Sequence, residues 1–543
     1  MAGRAKTGLL TIVLVTIFCH FTPGHAAGQT SGAFVPLDSW IYPALDRLAA
    51  LGFVPSQTAG IRPWSRRECL RQVAEAQAIL DNREDLAAAT AVDIVDSLHR
   101  ELAAEDGILS VESVYLRSGV IAGTPLNDSF HFGQTVRDDF GRPFGRGLNS
   151  YAGTSLRAAY GHFFAGARAE LQQAGGRPAY SPEVRSSLAR FDLLPPTVFG
   201  EQPSVRRARV IEGYVGAAFG PISISVGKQS LYWGPGSQAP LSFSSNAEPT
   251  QNAKLTTDAI RLPGPLRRLG TVKAEFVFGK LGGHSYTWRP WFNGQKISLK
   301  INRDLEVGFT RWSILFGAGH PMTLGALFRN LTSTASDNSN PNDRLDRGDR
   351  KGGFDFRLRV PGVRDWLTVY SDSYSDDDPS PLAAPRRAAV SPGLWLTRVP
   401  WLPALDFKIE AAATKPFFSP DHGGQFLYWN NQYRSGNTNY GFLLGNPTGR
   451  DGRSVEFKSA YWLSPRERIE GRYRQQKIAS GFLPGGGTQS SGTLAFAVHY
   501  GQGWHITSAI QYERYWIPLL GGPRRNLSAW LQLSWEPYRD QLE

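Results

Sequence analysis

"SAWLQLSWE", residues 528–536, alternates apolar and polar side chains with a period of two. One set comprises Ala529, Leu531, Leu533 and Trp535, and the other comprises Ser528, Gln532, Ser534 and Glu536, with Trp530 among them. Successive side chains of a β-strand point to opposite faces of its sheet. This stretch therefore predicts a strand with one apolar and one polar face.

The same alternation recurs in "WHITSAIQYE" (504–513), "SVEFKSAYW" (454–462), "IEGRYRQQ" (469–476), "FDFRLRV" (354–360) and "KISLKI" (296–301). A soluble β-sandwich would alternate in the same way. Two features favour a barrel in a membrane. The polar face carries many charges, and aromatic residues recur at strand ends, as in "YWGPG" (232–236) and "RYWIP" (514–518). A membrane barrel has an apolar outer band, aromatic girdles and a polar lumen.

The predicted fold class is an all-β transmembrane barrel of roughly 16–18 antiparallel strands. Residues 110–543 would form the barrel, with long extracellular loops. A barrel must close on itself, because an open sheet edge in lipid leaves backbone groups unpaired.

Residues 36–105 have a helical period instead. In "SWIYPALDRLAALGF" (39–53), one face carries Ile41, Leu45, Leu48 and Leu51, and Gly52 is a natural stop. Ser65 with Glu68 three residues later predicts a capping box at the start of a second helix. We expect an N-terminal α-helical bundle over residues 30–108.

The first 26 residues predict a cleaved signal peptide. Arg4 and Lys6 precede an apolar run at 9–18, and small residues follow at 24–26. Export through this signal predicts a protein of the bacterial outer membrane. One cysteine, Cys69, would remain, so the mature chain can form no internal disulfide.

The net charge of +12 favours an anionic partner. For an exported chain we expect acidic polysaccharide, lipopolysaccharide and outer-membrane lipid rather than nucleic acid. The chain contains no G-x-S-x-G elbow, no H-E-x-x-H and no phosphate-binding G-K-[ST]. We therefore predict no enzyme, no catalytic residue and no cofactor. The acidic stretches 337–349 and 372–378 could hold calcium, but the first has Asn342 where a calcium loop needs its sharp-turn Gly. Solvated loop charge is the preferred interpretation of both, so no metal site is predicted.

Aromatic and polar loop residues suit a carbohydrate ligand. The apolar face of a sugar can lie on Trp or Tyr, while its hydroxyls pair with amides, carboxylates and guanidinium groups. The glycan-binding candidates are Tyr232, Trp233, Asn246, Glu248, Trp288, Arg289, Trp291, Trp429, Asn430, Tyr433 and Arg434. Each aromatic residue among them could instead belong to an interfacial girdle, where Tyr232 and Trp233 in particular can sit.

The stretch "SVGKQSLYWGPGSQAPLSFSSNAEP" (225–249) resembles the signature of the Wzi capsule-assembly family. "GQKISLKINRDLEVGFTRWSILFGAG" (294–319) and "DRGDRKGGFDFRLR" (346–359) are similar to further segments of that family. The resemblance implies a monomeric outer-membrane barrel whose outer loops act as a lectin for exported capsular polysaccharide. The helical bundle would then lie at the periplasmic end.

From these observations we predict a protein that binds capsular or exopolysaccharide and anchors it to the cell surface. The alternative is a porin or polysaccharide-conducting channel, since the lumen face is charged.

Overall fold

In the computed structural model of this chain, a closed antiparallel barrel dominates the fold. The structure describes residues 32–83, 85–103, 108–332, 348–376, 388–399, 401–415, 424–501 and 503–537. The predicted signal peptide lies outside these residues. Among the residues described, eighteen long strands form the barrel, which confirms the predicted fold class.

The strands follow one another around the barrel in chain order. They are β1 Leu109–Ile121, β2 Gly147–Tyr160, β3 Phe163–Ala174, β4 Val205–Phe219, β5 Ile222–Gln229, β6 Thr250–Thr257, β7 Thr271–Lys280, β8 Trp291–Lys300, β9 Leu305–Leu315, β10 Asp349–Arg359, β11 Leu367–Asp376, β12 Ala389–Leu396, β13 Leu405–Ala413, β14 Gly452–Trp462, β15 Arg468–Ile478, β16 Gly487–Tyr500, β17 Trp504–Trp516 and β18 Arg524–Trp535. Pairing of β1 with β18, in register from Val114 with Trp535 to Ile121 with Ser528, closes the barrel.

The predicted alternation between faces is confirmed. Leu531 on β18 is 55% exposed on the outside, whereas Ser528 on the inward face of the same strand is 2% exposed. Polar and charged side chains line the interior, where Lys296 and Asp355 form a buried ion pair across three strands. A barrel with an apolar outside and a charged inside is the arrangement that a membrane requires.

The two ends of the barrel differ in the length of their connections. At one end, short turns join the strands, for example at 161–162, 220–221 and 463–467. At the other end the connections are longer and include 122–146, 175–204, 230–249 and 414–451. We call these the short-turn end and the long-loop end.

Three N-terminal helices close the short-turn end: α1 Ile41–Leu51, α2 Arg66–Leu80 and α3 Leu86–Ala103. They share one apolar core that includes Leu45, Leu48, Trp64 and Leu98. Both predicted helix boundaries are confirmed. Gly52 ends α1 in the left-handed conformation at φ 94°, and the Ser65 hydroxyl accepts a hydrogen bond from the Glu68 N–H at 3.0 Å.

Polar contacts attach this bundle to the barrel turns. Arg47 donates to the carbonyl of Pro403 at 2.8 Å, and Arg466 pairs with Glu101 at 2.7 Å. The Ser65 hydroxyl also donates to Asp258 at 2.8 Å. These contacts hold the bundle against three different turns of the barrel.

Two further helices, absent from the sequence predictions, lie in long connections: α4 Pro182–Asp192 and α5 Leu324–Thr332. In the part of the chain that the structure describes, no helix combines the length and the apolar character needed to cross a bilayer.

Three of the long connections fold back into the lumen instead of extending outward. They are residues 126–146, 230–249 and 427–450, which we call the lumen segments. Their apolar side chains and those of the inward wall form one core cluster, which includes Phe130, Trp233, Phe243, Phe292, Trp312, Tyr428 and Leu443. The lumen segments therefore pack the part of the interior that they cross, whereas a cavity remains between the N-terminal bundle and the wall beside Tyr115, Arg168 and Ser534.

Candidate functional site

The segment 230–249 crosses the lumen, where its aromatic pair, Tyr232 and Trp233, attaches it to the surrounding structure. Tyr232 and Trp233 pair with Arg62 and Ile61 of the N-terminal region in a two-stranded sheet. Trp233 is fully buried, and its indole N–H donates to the Glu275 carboxylate on β7 at 2.7 Å. The prediction that this pair sits in an interfacial girdle is wrong, because a short inner sheet and a buried carboxylate hold it inside the barrel.

Acidic residues of the wall anchor the rest of this segment. The backbone N–H groups of Ser237 and Gln238 donate to Glu410 on β13 at 2.7 and 2.8 Å. The N–H of Leu241 donates to Asp372 on β11 at 2.7 Å. Buried backbone donors need partners, and here carboxylates on distant strands supply them.

Asn246 and Glu248 complete the internal framework. Asn246 donates to the carbonyl of Leu443 at 3.0 Å, and its side-chain oxygen accepts from the N–H of Asp138 at 3.3 Å. It thereby joins all three lumen segments. Glu248 is 3% exposed and pairs with Arg209 at 2.6 Å and with Lys228. Neither side chain reaches the surface.

A buried ionic network connects the lumen segments to α4. The His131 ring contacts Asp128 at 2.8 Å and Asp192 at 2.7 Å, and Arg450 pairs with Asp192 at 2.5 Å. Burial opposes the charged imidazolium, but the two carboxylates outweigh that effect and raise the pKa of His131 to about 9. The ring is therefore charged at neutral pH, and no motif in the sequence indicated this network.

An exposed surface forms where the connection 281–290 meets residues 430–435. The Thr287 hydroxyl donates to the carbonyl of Gln432 at 3.1 Å, and the N–H of Ser435 donates to the carbonyl of Tyr286 at 3.1 Å. We call this surface the loop-end patch. Its side chains are Trp288, Arg289, Asn430, Asn431, Gln432 and Arg434.

Trp288 is the prominent side chain of the loop-end patch, with 55% of its surface exposed. The guanidinium carbon of Arg289 lies 4.0 Å from its ring centroid. Arg434 donates to the carbonyl of Leu193 at 2.7 Å, and Asn430 accepts from the N–H of Gln432 at 2.8 Å. The structure thus brings together four of the predicted candidates from two distant parts of the chain.

The remaining aromatic candidates do not lie in this patch. Trp429 is 7% exposed, with Phe426 beside it at 5.7 Å, and Tyr433 is fully buried against His320 at 4.8 Å. Both pack below the patch and support it. Trp291 lies on the outward face of β8, stacked on Phe278 at 5.0 Å.

Chemically, the loop-end patch offers an aromatic face beside amide and guanidinium groups. This combination suits a polyhydroxylated ligand with an apolar ring face. Over the described residues, no group of three or more His, Cys, Asp or Glu side chains converges as a metal ion would require.

Comparison with known proteins identifies the family. The model of the family described as capsule assembly protein Wzi matches residues 116–526. The chain belongs to this family. The Wzi match covers the barrel from β1 to β18, including the whole loop-end patch and the three lumen segments.

A solved structure of a Wzi protein has the same fold. The Escherichia coli protein Wzi, described as an outer-membrane carbohydrate-binding β-barrel involved in group 1 capsule assembly, aligns with a TM-score of 0.66 at 15% identity. That alignment covers 90% of this chain and 97% of the Escherichia coli chain. Pseudomonas aeruginosa OprD aligns with a TM-score of 0.40 at 11% identity, over 80% of this chain and 97% of its own. No curated protein sequence matches the chain.

Proposed function

We propose that this Wzi-family outer-membrane barrel binds an exported capsular polysaccharide at its loop-end patch and so anchors the capsule to the cell surface. The observation that supports it best is the exposed indole of Trp288 beside Arg289 and the amides of residues 430–432. In this proposal the chain performs no catalytic step.

The patch matches the chemistry of a charged polysaccharide. Trp288 offers an apolar platform for a sugar ring, and stacking on a rigid indole restrains few rotatable bonds. Arg289 and Arg434 add positive charge for uronic acid or pyruvyl carboxylates, and guanidinium groups bind carboxylates through paired hydrogen bonds. A repeating polymer can bind the patches of many barrels at once. One weak patch per barrel therefore suffices to retain a long chain.

We further propose the orientation of the barrel. The long-loop end faces outward, and the short-turn end with its helical bundle faces the periplasm, as expected for bacterial barrels. The chain would be a monomer. Its signal peptide would direct export and would then be cleaved. Arg206, exposed beside the long-loop end of β4, would contact lipopolysaccharide phosphates.

The test compares two exposed tryptophans at opposite ends of the barrel. Trp288→Ala removes the platform, whereas Trp401→Ala removes an indole that is 97% exposed in a turn at the short-turn end. Purified protein is titrated with the capsular polysaccharide of the producing strain. Truncation of a central Trp typically costs 1.4 kcal/mol or more, so we expect Trp288→Ala to raise Kd about tenfold.

Trp401→Ala is the matched control and should leave Kd unchanged. If both variants bind the polysaccharide as tightly as the unmodified protein does, the ligand does not bind at the loop-end patch. Absence of saturable binding by the folded, unmodified protein would overturn the proposed function itself.

A further inference from the structure

Helix α5, Leu324–Thr332, lies on the outside of the barrel. Its residues Ala326 and Leu327 pack with Leu315, Phe316 and Trp291 in one apolar cluster. On β8 and β9, Gly294 and Trp312 point inward, since both approach the lumen residues Trp233 or Phe243. Their strand neighbours therefore point outward, and α5 covers that outward surface.

Next to this apolar cluster, part of the outward surface beneath α5 is polar. This part comprises Asn293 and Gln295 on β8 and Arg311 and Ser313 on β9, paired in register as Asn293 with Ser313 and Gln295 with Arg311. Polar side chains on the lipid-facing surface of a membrane barrel are costly, because hydrocarbon provides no hydrogen-bond partner.

Asn330 of α5 satisfies this polar surface. Its side-chain oxygen accepts from Asn293 at 2.6 Å and from Ser313 at 2.7 Å, and its backbone carbonyl accepts from Arg311 at 2.6 Å. Asn330 is itself 1% exposed. One helical residue thus accepts hydrogen bonds from three outward polar side chains of the barrel wall, and the helix shields these side chains from the space outside the barrel.

The opposite face of α5 is apolar and exposed. Leu324 is 85% exposed and Phe328 is 69% exposed, and Met322 just before the helix is 64% exposed. Leu324, Phe328 and Leu331 are spaced at i, i+4 and i+7, so they share one helix face. A helix with its polar groups turned toward the barrel and its apolar face turned outward is the reverse of a helix in water.

The apolar face of α5 continues the outer surface of the barrel. Trp291 stacks on Phe278 beside the helix, and Lys280 lies over the Trp291 ring at 4.3 Å. An aromatic residue with a basic neighbour at the end of the strands is typical of the membrane interface.

We propose that α5 is a lipid-embedded part of the barrel wall, with Leu324 and Phe328 inserted among the acyl chains of the outer leaflet. The helix replaces a polar patch of strand surface by an apolar one, so that the membrane contact is continuous around β8 and β9. Interfacial helices of this kind bury one apolar face at the boundary between headgroups and acyl chains. The inference rests on the proposed outer-membrane location and orientation of the barrel and is independent of glycan binding.

Site-directed spin labelling in proteoliposomes tests this contact. A nitroxide is attached to Phe328→Cys, and its collisions with oxygen, which concentrates in lipid, and with a water-soluble nickel chelate are measured. Leu531→Cys on the outward face of β18 is the lipid reference, and Trp401→Cys in a short turn is the water reference. Cys69 is fully buried, so the unmodified protein provides the labelling blank.

The expected result is an oxygen-to-nickel collision ratio at Phe328→Cys that equals the Leu531→Cys value and is several-fold above the Trp401→Cys value. A ratio equal to the Trp401→Cys value would overturn the proposal, because the helix would then lie in water. Spectral broadening from two nearby labels would also overturn it, since a second copy of the chain would cover the face. Leu324→Cys repeats the measurement on the same face if Phe328→Cys does not yield folded protein.

Discussion

The charge on His131 predicts a contribution to stability that depends on pH. The ring lies between Asp128 and Asp192, both within 2.8 Å, and is 5% exposed. Its pKa is about 9 in the folded protein, against an ordinary value of 6.5. Because the folded-state pKa is raised, the charged ring stabilises the fold fully below about pH 6.5. That contribution disappears as the pH rises through about 9.

The magnitude follows from the same two pKa values. A difference between 6.5 and about 9 corresponds to about 3 kcal/mol of the free energy of unfolding. His131→Asn keeps a polar side chain of similar reach but cannot carry the charge. The stability gap between the unmodified protein and this variant should therefore be largest in mild acid and should shrink by about 3 kcal/mol toward about pH 10.

Urea unfolding of vesicle-inserted protein, followed by tryptophan fluorescence, measures this gap at several pH values. Comparing the two proteins at each pH removes the contribution of lysines and tyrosines that titrate in the same range. A gap that stays constant from mild acid to about pH 10 would refute the assignment of a raised pKa to His131.

Three further predictions follow from the buried contacts. Trp233→Phe should lower the free energy of unfolding by about 1–3 kcal/mol, because Glu275 loses its indole donor. In the same urea assay, Trp535→Phe on the outer surface should change the free energy of unfolding little. Ser65→Ala should lower the free energy of unfolding by about 1–2 kcal/mol, because the Ser65 hydroxyl both caps α2 and donates to Asp258. Ser181→Ala, which removes only the cap of α4, should lower it less, and thermal unfolding of the two variants compares them. The intact protein should give no stable open level in planar-bilayer recordings, because the lumen segments fill the barrel; a steady ohmic current would contradict this and favour the channel alternative.

The sequence predicted the barrel because its strands obey a simple rule. On β14–β18, apolar residues face lipid and polar residues face the interior, so a period of two is visible without knowledge of the fold. The helix boundaries at Gly52 and Ser65 were equally local, since each depends on residues within one turn.

The interior could not be predicted in this way. A loop that folds into a charged lumen needs the same polar residues as a loop in water, so the composition of 230–249 does not reveal its position. Trp233 illustrates the difficulty, because an aromatic at a strand end fits a girdle as well as a buried contact with Glu275. The neighbours of Trp288 in the loop-end patch lie far away in the sequence and meet it only in the folded barrel.

Helix α5 was missed for a related reason. Its apolar face looks outward, so its pattern resembles neither a core helix nor a strand, and its Asn330 pairs with strands that precede it in the chain.

The hydrogen bonds from residues 237–241 to Glu410 and Asp372 also constrain when the protein can become complete. These acidic residues lie 173 and 131 residues further along the chain than the groups that they hold, so the contacts exist only once β11 and β13 are in place. We therefore expect residues 230–249 to stay accessible to protease until that part of the barrel wall has formed. Protection of residues 230–249 while β11 and β13 are still cleavable would contradict this order.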